Sequence, residues 1–393
     1  MSQAHGLSTT RTLIFLGAAS FASAASLRAC DPILPDIAAA FSTTPGDAAK
    51  VVTVFGVGYA IAGFCYGFVG DRFGKLRVMA ATTILSSIAT IACALASSLA
   101  MLTTARIAVA MTAAAIIPLA FAWIGDAIPY ERRQPVLGRF LSGQISGMVL
   151  GQVFAGIIAE HAGWRYVFVL IAALFVVAGV ALAFEVRGQP SHPAHSPEPV
   201  DPDLKRFTSM LREPWVLIVL GTTFLEGMIF FGAYTFVGSY IWARFGLGLD
   251  LVGLIVAGFG VGGLIYAASA GRLFALLGET GLMLWGGILV AISFVVIAIA
   301  PVPAAIAPAT ILAGLSYYMI HNTLQTHATQ MAPAARGLAV STFASCLFLG
   351  QASGVALAAP VFDNTGGKPL FLAAAALLLL VCVLFRALLL TRS

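Results

Sequence analysis

Long runs of apolar residues, separated by short polar segments, repeat along the whole chain. Each run is about 20 residues or longer, which is the length that an α-helix needs to cross a hydrocarbon core of about 30 Å. The runs predict twelve helices, at residues 12–39, 48–70, 78–97, 102–126, 137–160, 165–186, 213–243, 250–273, 281–300, 304–330, 337–361 and 369–389. The pattern therefore predicts an all-α membrane protein.

Composition agrees with this pattern. Of the 393 residues, 60% are hydrophobic and 9% are charged, which is outside the range of soluble globular domains. The net charge of +5 comes from short loops and not from one helical face, so nucleic acid is not an expected partner. The five cysteines lie in apolar runs without paired spacing. They are expected to pack between helices, with no disulfide, metal or cofactor.

The positive charges predict the orientation of the chain. Lys and Arg cluster at residues 72–77, 132–139 and 205–212, which all fall on the side that carries both termini. Positive charge marks the cytoplasmic side of a membrane, so both termini are expected in the cytoplasm of a bacterial-type cell, with the chain in the inner membrane. The N-terminal apolar run imitates a cleaved signal peptide. We interpret it as an uncleaved first helix because apolar character resumes at Pro32 and Leu34.

The chain also repeats itself. Phe55-Gly-Val-Gly58 recurs 204 residues later as Phe259-Gly-Val-Gly262, and Pro129-x-x-Arg132 recurs as Pro333-x-x-Arg336. Matches in register indicate two parallel repeats, here six-helix bundles at 1–186 and 213–393. Residues 187–212 hold five prolines and mixed charge, which is typical of a linker. In such an arrangement a substrate site lies near the bilayer midplane between the halves.

A glycine-punctuated basic segment, Gly67-Phe-Val-Gly-Asp-Arg-Phe-Gly-Lys-Leu-Arg77, separates the second and third helices. It predicts a tight cytoplasmic turn, for which glycine tolerates the left-handed dihedrals. A basic loop that merely fixes orientation is the alternative.

The same segment carries a family motif. Its spacing resembles the loop between helices 2 and 3 of the major facilitator superfamily, Gly-x-x-x-Asp-Arg-x-Gly-[Arg/Lys], and matches at Gly67, Asp71, Arg72, Gly74 and Lys75. The resemblance implies a twelve-helix fold in two halves. It also implies that Asp71 stabilises the outward-open state, with Arg72 and Asp126 as its charged neighbours.

Glu226 is the deepest acid of the seventh helix. It follows Pro214 by twelve residues, about 18 Å at the helical rise, so it is expected near the midplane with Phe230 and Tyr234 on its face. A charge in hydrocarbon costs several kcal/mol, about 2.5 to 3.5 by insertion scales, and burial favours the neutral acid. Glu226 is thus a candidate for proton coupling or substrate binding. The alternative is a neutral acid hydrogen-bonded to a neighbouring helix.

Two further polar groups lie inside apolar helices. Arg28 and Asp31 are three residues apart and can pair on one face, either as a structural pair or as a substrate contact. The tenth helix carries a stripe that should face a central cavity: Tyr318, His321, Asn322, Gln325 and Thr329. His321 is a candidate proton acceptor or substrate contact, and an uncharged histidine in an interhelical network is the alternative.

Family resemblance extends to the fourth and fifth helices. Arg106 is similar in position to the superfamily's helix-4 arginine, which implies a part in proton coupling. The alternative is that Arg106 snorkels to the periplasmic interface. Gly147-x-x-x-Gly151-Gln-Val-Phe-Ala-Gly156 resembles the antiporter motif Gly-x-x-x-Gly-Pro-x-x-Gly-Gly, with Gln152 in place of proline. Together these segments look most like the drug:proton antiporter and arabinose-efflux-like branch.

The expected function is secondary active transport, with proton-coupled efflux of small amphipathic or drug-like compounds by a monomer. A sugar or metabolite exporter and an uptake symporter are alternatives within the same fold. A membrane enzyme or sensor would need a catalytic constellation or a signalling domain, and neither is visible: nothing like His-Glu-x-x-His is present. The predicted partners are a small-molecule substrate, protons and the lipid bilayer.

Overall fold

The computed structural model describes residues 2–188, 209–332 and 336–392, and the regular elements of these ranges are helical. The elements of the first part are α1 (Ser2–Arg28), a 3-10 turn (Asp31–Ile33), α2 (Leu34–Ala40), α3 (Pro45–Ala48), α4 (Lys50–Phe73), α5 (Lys75–Ala94), α6 (Leu99–Ala113), α7 (Ile116–Ala127), α8 (Tyr130–Ala162) and α9 (Trp164–Gly188). Of the predicted linker 187–212, residues 189–208 lie outside the described residues.

The second part of the chain repeats this arrangement. Its elements are α10 (Pro214–Tyr234), α11 (Val237–Phe245), α12 (Leu249–Ile299), a 3-10 turn (Pro303–Ala305), α13 (Ile306–Gln330), α14 (Arg336–Thr365) and α15 (Gly367–Leu390). Two hydrophobic clusters form the interior. One is drawn mainly from residues 16–182 and the other mainly from residues 210–389.

The described ranges contain eleven stretches that are long and apolar enough to cross a membrane, and the longest of them contains two spans. This stretch is α12, whose 51 residues correspond to about 75 Å of helix, more than twice the thickness of the hydrocarbon core. Gly278 interrupts it with a left-handed φ of 61°. The described ranges therefore hold twelve spans, and the predicted fold class is confirmed.

The turn between the second and third spans is tighter than predicted. Helix α4 continues through Gly67 to Phe73, and α5 starts at Lys75. Gly74 alone makes the reversal, with a φ of 89°. The predicted gap at residues 71–77 is thus too long, because one left-handed glycine is enough to redirect the chain. Gly278, 204 positions later, holds the equivalent place in the second repeat.

Two predicted helices are broken where proline interrupts the hydrogen-bond ladder. The first span stops at Arg28 and resumes as α2 after the 3-10 turn that contains Pro32. The fourth span divides into α6 and α7, and Pro118 in the first turn of α7 has no N–H to donate to the preceding turn. The first break leaves carbonyl groups at the end of α1 without helical partners.

The two halves contact each other closely at one end of the bundle. We call the end that holds the start of α1 and the end of α15 the proximal end, and the opposite end the distal end. Near the distal end α8 packs on α12 so tightly that a Cβ atom on Gly253 would lie 3.1 Å from the Cα of Gly156. Nearer the proximal end, a Cβ atom on Gly138 or Gly143 of α8 would meet no atom within 4 Å. The structure is thus closed distally.

Candidate functional site

Glu226 of α10 is completely buried and is paired with a histidine of another helix. Its Oε2 atom lies 3.2 Å from Nδ1 of His321 on α13. The hydroxyl of Tyr317, one helical turn before His321, lies 3.4 Å from the same nitrogen. The other carboxyl oxygen, Oε1, has no hydrogen-bond partner. One oxygen of this buried carboxyl is hydrogen-bonded and the other is not. The carboxyl can therefore gain and release a proton.

Aromatic rings form one wall around this acid–histidine pair. Phe230 is fully buried, and five rings lie within 5.5 Å of its centroid: Phe231, Tyr234, Phe259, Phe294 and Tyr317. The hydroxyl of Tyr234 donates a hydrogen bond to the carbonyl of Val256 at 2.7 Å, so it is engaged within the second half. The predicted neighbours Phe230 and Tyr234 therefore belong to the packed interior beside Glu226.

The polar stripe of α13 leads from the acid–histidine pair towards the proximal end. Tyr318, His321 and Asn322 are half-buried, whereas Gln325 and Thr329, further along the helix, are exposed. Polar side chains of a membrane span avoid lipid, so this gradient indicates an aqueous opening that widens towards the proximal end. His321, with 13% of its side chain exposed, lies between that opening and the buried Glu226.

A second buried charged group connects the two halves of the molecule. Arg28 donates from Nη1 to the Asp31 carboxylate at 3.4 Å and from Nη2 to Oε1 of Gln351, on α14, at 3.1 Å. The Arg28 guanidinium also lies 3.8 Å from the ring centroid of Phe231. Asp31 is fully buried, and its Oδ1 atom makes no hydrogen bond. The predicted Arg28–Asp31 pair is therefore present, and it is extended to the second half by Gln351.

The arginine group and the acid–histidine pair are separated by one layer of rings. Phe231, which lies under Arg28, has its centroid 5.1 Å from that of Tyr317. The Tyr317 ring in turn stacks on His321 with an interplanar angle of 11°. Two buried charged groups, one of them spanning the interface between halves, thus flank a shared aromatic layer at the closed end of the opening.

Comparison with known proteins agrees with this architecture. A family model described as Major Facilitator Superfamily matches the chain over residues 16–335 and 219–393. This chain belongs to the Major Facilitator Superfamily. The two matched segments overlap at residues 219–335, and the second segment lies within the second six spans.

Relatives and solved structures extend this finding. An uncharacterized MFS-type transporter from Bacillus subtilis, YwfA, is 26% identical over 242 residues, which cover 62% of this chain and 59% of that relative. The crystal structure of a D-xylose–proton symporter superposes with a TM-score of 0.76 at 15% identity, covering 95% of this chain and 96% of the other. A bacterial homolog of the human lysosomal transporter Spinster, in an inward-facing and unoccupied conformation, gives 0.70 at 18% identity, with coverages of 97% and 95%. At these identities the two structures show the fold alone.

The residue that resembles the superfamily's helix-4 arginine is buried rather than interfacial. Arg106 has no exposed surface and donates from both Nη atoms to the Ser26 carbonyl at 3.2 Å. This carbonyl lies in the last turn of α1, where the helix break removes its usual partner. Arg106 also lies 4.0 Å from the centroid of the Phe55 ring. Snorkelling of Arg106 to the membrane surface, one interpretation of the sequence, is wrong because the broken helix supplies acceptors inside.

The residues of the superfamily's loop motif divide into two groups. Lys75 donates to Asp126 at 2.5 Å, joining the start of α5 to the end of α7. Arg72 is exposed, with its guanidinium 5.5 Å from the Phe73 ring centroid. Gly67 and Asp71 lie on α4, but the surroundings of these two residues are outside the described part of the structure. The gating role of Asp71 stays a prediction.

The sequence indicated most of these residues separately but not their partners. Glu226 and His321 were each candidates, yet they are 95 positions apart and only the packing of α10 on α13 joins them. Gln351 was not selected, although Gly350-Gln-Ala-Ser-Gly354 repeats Gly143-Gln-Ile-Ser-Gly147 of the first half, and this repeat could have pointed to it. Gln152 of α8 is also buried, next to Asp31.

Proposed function

We propose that this superfamily member is a secondary active transporter that exports small amphipathic or drug-like compounds in exchange for protons. The observation that carries the proposal is the contact between Glu226, which is fully buried, and His321, which borders the aqueous opening. A proton reaching His321 has a direct path to the carboxyl, because their heavy atoms lie 3.2 Å apart. The pair is therefore suited to load and release protons.

Coupling follows from the free-energy cost of burying Glu226 in its charged form. An unprotonated Glu226 carries a negative charge in a dry surrounding, and it is stabilised by a cation nearby, either a protonated His321 or a positively charged substrate group in the opening. Proton and cationic substrate then compete for the same carboxyl. Such competition makes binding of one reduce the affinity for the other, which is the thermodynamic requirement for exchange.

The movement is proposed to be a rocking of two bundles, residues 1–186 and 213–393, joined by the linker 187–212. The present conformation is closed distally and open proximally. With the termini in the cytoplasm, it is the inward-open state, ready to receive cargo from the cell interior. The α13 residues along the opening include Tyr318, Asn322, Gln325 and Thr329, which are polar without a fixed charge, and this suits an amphipathic compound.

This function is tested with the full chain in proteoliposomes under an imposed pH gradient. A thermal-shift screen against drugs, sugars and amino acids first selects compounds that stabilise the purified protein. Selected amphipathic compounds should then drive proton movement in the opposite direction, read with a trapped pH-sensitive dye and compared with protein-free liposomes. Movement of proton and compound in the same direction would identify a symporter instead, and stabilisation by sugars alone would replace the substrate class.

The proposed location is the inner membrane of a bacterium, with both termini cytoplasmic. Single cysteines introduced at 187–212, in a chain without its native cysteines, should react with an impermeant maleimide only after the cells are opened, because the basic clusters retain this side in the cytoplasm. A cysteine at the exposed distal residue Ser97 serves as the matched control and should react in intact cells. Labelling of the linker from outside would reverse the orientation.

A further inference from the structure

Two carboxylates connect the halves at the distal end. Glu160, near the end of α8, accepts a hydrogen bond from the backbone N–H of Leu249 at the start of α12, with a distance of 2.6 Å. Asp363, near the end of α14, accepts from the backbone N–H of Gly46 at 3.0 Å and from the hydroxyl of Thr44 at 2.6 Å. In each case an acid of one half binds the first turn of a helix in the other half.

These two contacts are related by the internal repeat. From Glu160 to Asp363 and from Gly46 to Leu249 the step is the same, 203 residues, within one residue of the 204-residue offset of the sequence repeat. Glu160 of the first half therefore binds a helix start of the second half, and Asp363 of the second half binds a helix start of the first. Because the same contact is found at equivalent positions of both repeats, it is a feature of the repeated fold and not of the packing of one loop.

The local geometry favours a carboxylate at both places. The N–H groups of a first helical turn have no partner within the helix and carry partial positive charge, so they bind an acid well. Glycine leaves room for it: a Cβ atom on Gly46 would lie 2.7 Å from Cγ of Asp363, and one on Gly248 would lie 3.3 Å from Cδ of Glu160. Both acids are exposed at the bundle surface, so water can replace these bonds when the helices part.

We propose that Glu160 and Asp363 form a matched pair of latches that holds the distal end closed while the proximal end is open. The bonds form only when the end of α8 meets α12 and the end of α14 meets α3. They stabilise the distal-closed conformation and contribute nothing to the distal-open one. They set the resting balance between the two conformations of the proposed transport cycle, on which this inference rests.

Removing a latch should change that balance by a definite factor. Loss of a capping side chain at a helix start is expected to shift the equilibrium about threefold to tenfold, so Glu160→Ala and Asp363→Ala should each raise the ratio of distal-open to distal-closed molecules by that factor. The two contacts share no partner, so their effects multiply, to about 10-fold to 100-fold in the double variant. Glu160→Gln and Asp363→Asn keep an acceptor but lose the charge, and should give smaller shifts.

The experiment measures spin-label distances in the full chain in nanodiscs, with the native cysteines replaced. One label pair, at Ser97 and Val302, spans the distal end, and a second pair, at Arg139 and Leu276, spans the proximal end. All four sites are exposed. In the Glu160→Ala/Asp363→Ala variant the distal distance should lengthen and the proximal distance should shorten in the same molecules.

Two other acids at the distal end provide the control. Asp47 binds Thr43 and Lys50, and Asp250 binds the adjacent Leu251 N–H, so the hydrogen bonds of both stay within one half. Asp47→Ala/Asp250→Ala should leave both distance distributions as in the unmodified chain. Unchanged distances in the latch variant, lengthening at both ends, or an equal shift in the control would each overturn the proposal. Because no substrate or proton gradient is used, these outcomes are independent of the proposed cargo and coupling.

Discussion

Glu226→Gln should abolish gradient-driven transport, to below about a tenth of the unmodified rate, while the protein still folds and inserts. Glutamine has nearly the same shape and can keep the contact with Nδ1 of His321, which is 3.2 Å from Oε2 in the structure. It cannot take up or release a proton. Coupling that depends on the carboxyl is therefore lost, whereas binding of uncharged ligands should remain.

The measurement compares proteoliposomes with and without an imposed pH gradient, and ligand binding as a function of pH. Binding to the unmodified chain should change between about pH 5 and pH 8, the range in which buried carboxyls and histidines titrate. In Glu226→Gln this pH dependence should be reduced, because glutamine has no proton to exchange.

Glu279→Gln is the matched control for Glu226→Gln. Glu279 also pairs with a histidine, His327 of α13, but at the proximal end and with 37% of the glutamate side chain exposed. Its loss should reduce transport little, because an exposed ion pair contributes about 0 to 1 kcal/mol and no buried proton. Full gradient-driven transport by Glu226→Gln would remove the carboxyl from the coupling mechanism. Asp31, Arg106 and His321 would then be the next groups to test.

Arg28→Met should strongly destabilise the protein. It would leave the Asp31 carboxylate buried without its cation and would remove the bond to Gln351 that joins the halves. Removing one partner of a buried ion pair typically lowers the free energy of unfolding by about 3 to 5 kcal/mol, because an uncompensated charge stays in a dry interior. The midpoint of thermal unfolding in detergent should therefore fall well below that of the unmodified chain.

The double variant Arg28→Met/Asp31→Asn isolates the charge effect. If the destabilisation comes from the unpaired carboxylate, removing that charge should restore most of the unfolding midpoint, and the two substitutions should be clearly non-additive. Transport then separates the two interpretations of the pair. A stable double variant with normal transport indicates a structural pair, whereas a stable but inactive one indicates that Arg28 or Asp31 contacts the cargo. Additive losses would contradict the ion-pair account.

Local pattern was enough for the number of spans. The length of an apolar run decides whether a helix can cross the bilayer, and this is a property of consecutive residues. The proline breaks inside the first and fourth spans were not predicted, because an apolar run continues through them. The boundary between the eighth and ninth spans falls in the predicted gap at residues 274–280, but Gly278 alone redirects α12, with helical residues on either side. A single glycine can do this when its φ is positive, and sequence does not specify which glycine will adopt that angle.

The amino-acid sequence by itself determined that this protein has twelve spans in two repeats, with a buried acid at position 226 and buried charges at 28 and 31. Only the tertiary structure decided their partners: His321 for Glu226, and Gln351, 323 positions away, for Arg28. It also decided that Glu160 and Asp363 reach helix starts in the opposite half. Burial of a residue in the membrane follows from the apolar run that surrounds it in the sequence. Pairing depends on how each helix is rotated and tilted against its neighbours, which is fixed by close packing of the whole bundle.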